Sequence, residues 1–282
     1  MLPIETIAER PCFGGVQGTY RVASQACATP MRFSVFRPPQ AEVRRVPVVY
    51  CLAGLECNEE TFMIKAGAQR YAAEFGLMLV SPDTSPREVR IPGDDESWDF
   101  GLGAGFYVDA VQAPWSAHYR MQSFVADELP RVVAANFPGN VDRQSILGHS
   151  MGGHGALVCA LRYPERYRAV SAFAPIVAPS QVPWGEKAFA KFFGDDKRVW
   201  AANDATALAA TSVFSGEILI DQGLDDKFLR TQLLPYKFVV ACEGTRIAPR
   251  LREHAGYDHS YWFIQTFIAD HLRCHADRLY RD

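Results

Sequence analysis

The chain has 282 residues, 48% of them apolar and 22% charged, and a formal net charge of −3. This is ordinary usage for a compact soluble protein, and it suggests no nucleic-acid partner. No apolar run approaches the roughly 20 residues needed to span a bilayer, and residues 1–7 lack the basic region and long apolar core of a secretory signal, so no membrane partner and a cytoplasmic location are expected.

In chain order, residues 19–22 and 32–36 alternate as edge strands. Residues 46–52 read as a central strand that runs into the loop Ala53-Gly54-Leu55-Glu56-Cys57. A helical pattern covers 62–75, and 77–80 forms the next strand. Asp94-Asp95-Glu96 reads as a solvated turn, and Gly101-Leu102-Gly103-Ala104-Gly105 as a flexible loop near the site. That loop resembles a phosphate cradle in glycine count alone, since no Gly-Lys-Ser/Thr follows. A helix over 119–137 precedes the strand 145–147, and a helix over 151–163 leads to the strand 168–173. Residues 175–211, rich in Trp, Phe and charge, read as an inserted cap over the strand ends. Residues 217–221 form a buried strand, 250–252 another, and 261–278 the last helix. Strands alternating with helices imply an α/β protein with a mostly parallel sheet covered on both faces. Without a linker, repeat or low-complexity tract, residues 1–282 read as one domain.

The chemistry concentrates at Gly148-His149-Ser150-Met151-Gly152, between the strand 145–147 and a helix that begins with small residues. This is a nucleophile elbow, in which a sharp turn strains the serine backbone and lifts its hydroxyl into open space. An acid and a histidine should follow in the order that marks α/β hydrolases. The strand 217–221 runs into Gln222-Gly223-Leu224-Asp225-Asp226, and of the two adjacent acids Asp226 is favoured. His259, in the loop Gly256-Tyr257-Asp258-His259-Ser260, sits between a strand and the last helix and would serve as base to Ser150. The oxyanion hole needs two backbone N–H groups. Met151, after the nucleophile, and Leu55, after the strand 46–52, are the candidates.

Seven scattered cysteines, an odd number without regular spacing, fit reduced thiols. Cys57 adjoins the oxyanion loop, where alkylation or oxidation would block the acyl site; packing is the alternative reading. His271, Cys274 and His275 share a helix face at i, i+3 and i+4, but no fourth ligand accompanies them, so neither a metal nor a cofactor is expected.

Across nearly its whole length the sequence resembles the esterase D family of serine hydrolases, the S-formylglutathione hydrolases. The resemblance is carried by residues 55–62, Ser81-Pro82-Asp83-Thr84-Ser85-Pro86-Arg87, Asp95-Glu96-Ser97-Trp98-Asp99-Phe100-Gly101, 103–110, the elbow, Ser171-Ala172-Phe173-Ala174-Pro175, Pro183-Trp184-Gly185 and 256–261. It implies an α/β-hydrolase fold and hydrolysis of the thioester S-formylglutathione to formate and glutathione in formaldehyde detoxification. It also maps the triad onto Ser150, Asp226 and His259, and suggests a dimer. Glu56, where the family more often has threonine, and Leu102, in place of a small polar residue, depart from the pattern and bear on acyl and thiol preference. Glutathione carries two carboxylates and one ammonium, so a cation is expected near the serine. Lys65 and Arg87 follow loops that should face the site, with Cys57, Trp98 and Trp184 as further substrate contacts. The alternatives are a short-chain carboxylesterase or acyltransferase of the same family, and a binding protein that retains a hydrolase fold.

Overall fold

The computed structural model describes residues 3–281. Its strands are β1 (Ile4–Cys12), β2 (Gly15–Ser24), β3 (Thr29–Arg37), β4 (Val46–Leu52), β5 (Met78–Pro82), β6 (Gly139–His149), β7 (Val170–Phe173), β8 (Gly216–Gly223) and β9 (Ile247–His254). They form one sheet in the order β1-β2-β3-β5-β4-β6-β7-β8-β9. The pairings of β1 with β2, β2 with β3 and β3 with β5 are antiparallel. From β5 through β4, β6, β7 and β8 to β9, every neighbour is parallel.

The burial of each strand follows its sequence. Every residue of β4 and β5 is buried, as the continuous apolar runs of a sheet covered on both faces require. The expected edge strands 19–22 and 32–36 lie within β2 and β3, which are not at the edge: β1 covers β2 along Ile4–Cys12. β1 escapes a reading by periodicity because it is mostly exposed and polar, Ile-Glu-Thr-Ile-Ala-Glu-Arg-Pro-Cys.

The helices are α1 (Thr61–Lys65), α2 (Ala68–Phe75), α3 (Met121–Ser123), α4 (Leu129–Asn136), α5 (Met151–Arg162), α6 (Pro183–Phe193), α7 (Lys197–Ala201), α8 (Ala205–Ala209), α9 (Pro235–Ala241) and α10 (Tyr261–Leu279). The helix expected over 62–75 is split by Gly67, whose φ of 64° is left-handed. The pattern over 119–137 contains a π turn, Phe124–Glu128, between α3 and α4. α5 packs on β4, β6 and β7, and α10 packs on β6 and β7 with α2 beside it, so both faces are covered. One hydrophobic cluster runs through sheet, helices and the 175–211 segment, which carries α6, α7 and α8 between β7 and β8. No helix among the described residues is long and apolar enough to cross a membrane.

Candidate active site

The parallel strands end at one rim, and three of their exits bring the expected residues together. β6 turns into α5 at Ser150, whose φ of 59° and ψ of −117° are far from the usual wells. The flanking glycines are obligatory. A Cβ on Gly148 would stand 2.0 Å from the carbonyl oxygen of Gly152, and one on Gly152 would stand 2.0 Å from that of Leu52. The elbow thus closes on itself and on the end of β4, leaving only the serine side chain room to project.

β8 and β9 deliver the other two members. Ser150 Oγ lies 2.9 Å from His259 Nε2, and His259 Nδ1 lies 2.5 Å from Asp226 Oδ2. Asp226 is buried, while Asp225 is exposed and points no oxygen at the histidine. The backbone N–H of Phe228 donates to Asp226 Oδ1 at 2.8 Å, and the Gln222 side chain approaches Oδ2 at 3.4 Å. Both donors are neutral, so the charge of Asp226 stays available to His259. The two chain segments meet closely here, because the N–H of Asp225 donates to the carbonyl of Tyr257 at 3.0 Å.

The oxyanion loop is set against this elbow. A Cβ on Gly54 would lie 3.3 Å from Ser150 Cβ. Neither Leu55 nor Met151 has a hydrogen-bond partner for its backbone N–H among the described residues. Two free donors beside the nucleophile are what a developing oxyanion requires, and losing one typically costs about a hundredfold in rate.

Much of the sequence motif that surrounds the site serves as a clasp for this loop. The Cys57 carbonyl accepts from Arg87 at 2.6 Å and from Thr84 Oγ1 at 2.5 Å. Tyr107 Oη donates to the Ala53 carbonyl at 2.9 Å, and the N–H of Glu56, at a left-handed φ of 65°, donates to Gly103. Gly103 in turn donates to Ser85 Oγ at 2.8 Å. The 101–105 segment is therefore packed and hydrogen-bonded rather than a flexible loop. Asp94 likewise is buried, its carboxylate accepting from the N–H of Ile91 and its carbonyl from that of Leu102, so only Asp95 and Glu96 of the expected turn are solvated.

The candidate substrate contacts divide. Arg87 is not a free cation: its Nε bonds both oxygens of buried Asp83 at 2.9 and 3.0 Å, and its remaining reach goes to Cys57. Lys65 is exposed, its Nζ 5.9 Å from the Tyr261 ring. Trp98 and Trp184 meet edge to face at 5.3 Å. Trp184 then packs on Phe228 at 4.7 Å, and Phe228 on His259 at 5.2 Å. An aromatic wall leads from the histidine out to the half-exposed Trp98. Cys57 is half-buried and burial raises its thiol pKa, which works against a thiolate nucleophile. All seven cysteines are unpaired.

Three contributors escape the sequence reading. Phe228 and Gln222 hold the acid, and His149 lies against His259 with ring centroids 4.6 Å apart. Of these, Gln222 and Phe228 flank the expected acid closely enough for its turn to have pointed to them. His271 and His275, by contrast, turn inward: His271 Nδ1 and His275 Nε2 each stand 2.8 Å from Ser171 Oγ. Among the described residues no group of three or more His, Cys, Asp or Glu is arranged to hold a metal.

Chemically, this arrangement suits acyl transfer. In such a transfer His259 would take the Ser150 proton as Oγ attacks a carbonyl carbon, Asp226 would stabilise the imidazolium, and the N–H groups of Leu55 and Met151 would receive the oxyanion. Collapse would expel the leaving group with the proton from His259, and water would repeat the cycle on the acyl-serine.

Comparison with known proteins places the chain among esterases. The family model described as "Putative esterase" matches residues 24–274. The S-formylglutathione hydrolase of Mus musculus is 52% identical over 282 residues, covering 99% of each chain. That of Paracoccus denitrificans is 51% identical over 278 residues, again 99% of each. A solved S-formylglutathione hydrolase from Agrobacterium tumefaciens superposes with a TM-score of 0.95 at 47% identity, covering 98% of this chain and 99% of its own.

Proposed function

The chain belongs to the esterase family of the S-formylglutathione hydrolases, and on that premise we propose that it hydrolyses S-formylglutathione to formate and glutathione through an acyl-enzyme on Ser150. Its fold is that of the α/β hydrolases, and it is a serine hydrolase. The observation that carries the residue-level reading is the hydrogen-bonded chain from Ser150 through His259 to Asp226 beside two unpartnered N–H groups.

In the first half-reaction Ser150 attacks the formyl carbon, the C–S bond breaks, and His259 returns the proton to the glutathione thiolate. In the second, water attacks the formyl-serine with His259 as base, formate leaves, and Ser150 recovers its proton. Lys65 is the cation we assign to a glutathione carboxylate, since Arg87 is held by Asp83. Trp184 and Trp98 line the approach, and the 175–211 segment, which supplies Trp184, acts as the cap of a single domain. The physiological role that follows is the closing step of glutathione-dependent formaldehyde removal, in the cytoplasm. The assembly we propose is a homodimer, as the family resemblance suggests, and sedimentation equilibrium tests it.

Steady-state kinetics on S-formylglutathione, S-lactoylglutathione and p-nitrophenyl acetate tests the substrate. A kcat/KM for the formyl thioester at least about a hundredfold above the others, some 3 kcal/mol of transition-state discrimination, supports the reading. Equal or better turnover of the simple ester would make the protein a general carboxylesterase instead.

A further inference from the structure

The elbow carries an imidazole for which the reaction as described has no use. His149 directly precedes the nucleophile, is buried, and has no hydrogen-bond partner for either ring nitrogen. Its ring lies against that of His259 with centroids 4.6 Å apart and planes inclined by 41°. Tyr261 meets it at 5.6 Å and 63°, and a Cβ on Gly54 of the oxyanion loop would stand 3.4 Å from its Nδ1. The ring is thus wedged between the oxyanion loop, the start of α10 and the catalytic base. Burial first, and the neighbouring His259 second, push its pKa well below the ordinary histidine value, so it stays uncharged.

We propose that His149 is a positioning residue for His259, whose neutral ring face fixes the plane in which the base reaches Ser150 and Asp226 together and steadies the imidazolium formed in the transition state. The inference rests on the serine-hydrolase reading above. The other aromatic ring against His259 meets it in a different orientation. Phe228 stands nearly perpendicular to it, at 85° with centroids 5.2 Å apart, against the 41° and 4.6 Å of His149. Among charged groups, Asp226 from the β8 exit and Asp258 from the histidine's own loop favour the cation, while Lys227 stands beyond Phe228, 4.9 Å from that ring. An aliphatic residue at 149 would fill the wedge but offer no π face.

Profiles of kcat and KM against pH for the parent, His149→Leu and His149→Phe, with both the formyl thioester and p-nitrophenyl acetate, test this. Loss of the ring in His149→Leu lowers kcat about tenfold on both substrates, leaves KM within about twofold, and moves the acidic inflection of kcat/KM down by about half a pH unit, the scale of a cation held over a ring face. His149→Phe restores most of kcat and returns the inflection. Should the leucine variant fail to unfold cooperatively, His149→Met takes its place. A leucine profile that superposes on the parent, an inflection that moves up, or equal impairment of the leucine and phenylalanine variants overturns the inference. Ser150→Ala, run alongside, separates the two readings: its inactivity leaves the serine mechanism standing whatever His149 does, whereas retained activity overturns that mechanism and this inference with it.

Discussion

Ser150, His259 and Asp226 meet at the carboxyl rim of the sheet, and Ser171, His271 and Asp221 meet between the sheet and α10. The residue types are the same, and the environments are opposite. Ser171 lies in the regular strand β7, wholly buried, and its hydroxyl is shared between two histidines at 2.8 Å each. His271 Nε2 comes within 3.3 Å of Asp221 Oδ2 without the alignment of a hydrogen bond. Asp221 is already engaged by Arg252 through two contacts of 2.6 Å, and His271 and that guanidinium hold its pKa well below the carboxylate range. At the rim, Asp226 meets only neutral donors besides His259, Ser150 is lifted by its strained backbone, and two N–H groups stand free. The composition of a triad therefore carries little by itself: backbone strain, a carboxylate with no cation besides the histidine, and free N–H donors set the rim apart from the buried cluster.

Removing each serine in turn should give opposite outcomes. Ser150→Ala should lower kcat by about 10⁴-fold or more, whereas Ser171→Ala should leave kcat within about threefold and lower Tm, because two buried imidazoles lose their shared partner at a cost of about 1–3 kcal/mol. Steady-state kinetics and thermal unfolding on the same preparations read both.

The two carboxylates should differ in the same way. Asp226→Asn should reduce kcat by about 10⁴-fold with little change in stability, as loss of the tautomer-fixing acid does elsewhere. Asp221→Asn should do the reverse, destabilising the fold by about 1–3 kcal/mol, because partly exposed Arg252 loses its buried partner and keeps only Asp270. Asp225→Asn should change neither, since that side chain is exposed.

Acid titration reads the buried histidines of both regions through stability. Burial lowers the pKa of His154 to about 4 and that of His275 to about 3, and also lowers those of His149 and His271. The unfolded chain then binds protons below its ordinary histidine value that the folded chain refuses. Stability is accordingly full above about pH 6.5 and drains as pH falls toward these depressed values, with His154 alone worth about 3 kcal/mol. Tm measured across this interval should fall steeply, and His154→Phe should flatten the fall.

The opposite pH dependence lies beside the oxyanion clasp. Burial and the adjacent Asp83 raise the Glu59 pKa to about 7. Its neutral form is therefore the one that fits, and its contribution is present at low pH and lost as pH rises through that value. Glu59→Gln should raise Tm above pH 7 and leave it unchanged in acid.

What the sequence made legible was set by short-range necessity. Gly148 and Gly152 have to be glycine because carbonyl oxygens stand where their Cβ atoms would be, and so the elbow shows itself in five letters. The order of serine, acid and histidine and the strand before each were readable for the same reason. The choice between Asp225 and Asp226 depended on the N–H of Phe228, two residues on, and on the facing loop at Tyr257. Other features depended on distant partners. The helical spacing of His271 and His275 announces a shared face but not that Ser171, 100 residues before His271, lies opposite. The commitment of Arg87 to Asp83 and Cys57, and the burial of Asp94, are tertiary facts of the same kind. β1 went unread because an exposed edge strand needs no apolar alternation.

Peptide mapping after brief exposure to a fluorophosphonate probe locates the nucleophile. The adduct should fall on Ser150 alone, leave Ser171 unmodified, and disappear in His259→Ala and Ser150→Ala. Labelling of Ser171, or an adduct that survives loss of His259 at the parent's rate, would contradict the assignment of the chemistry to the rim.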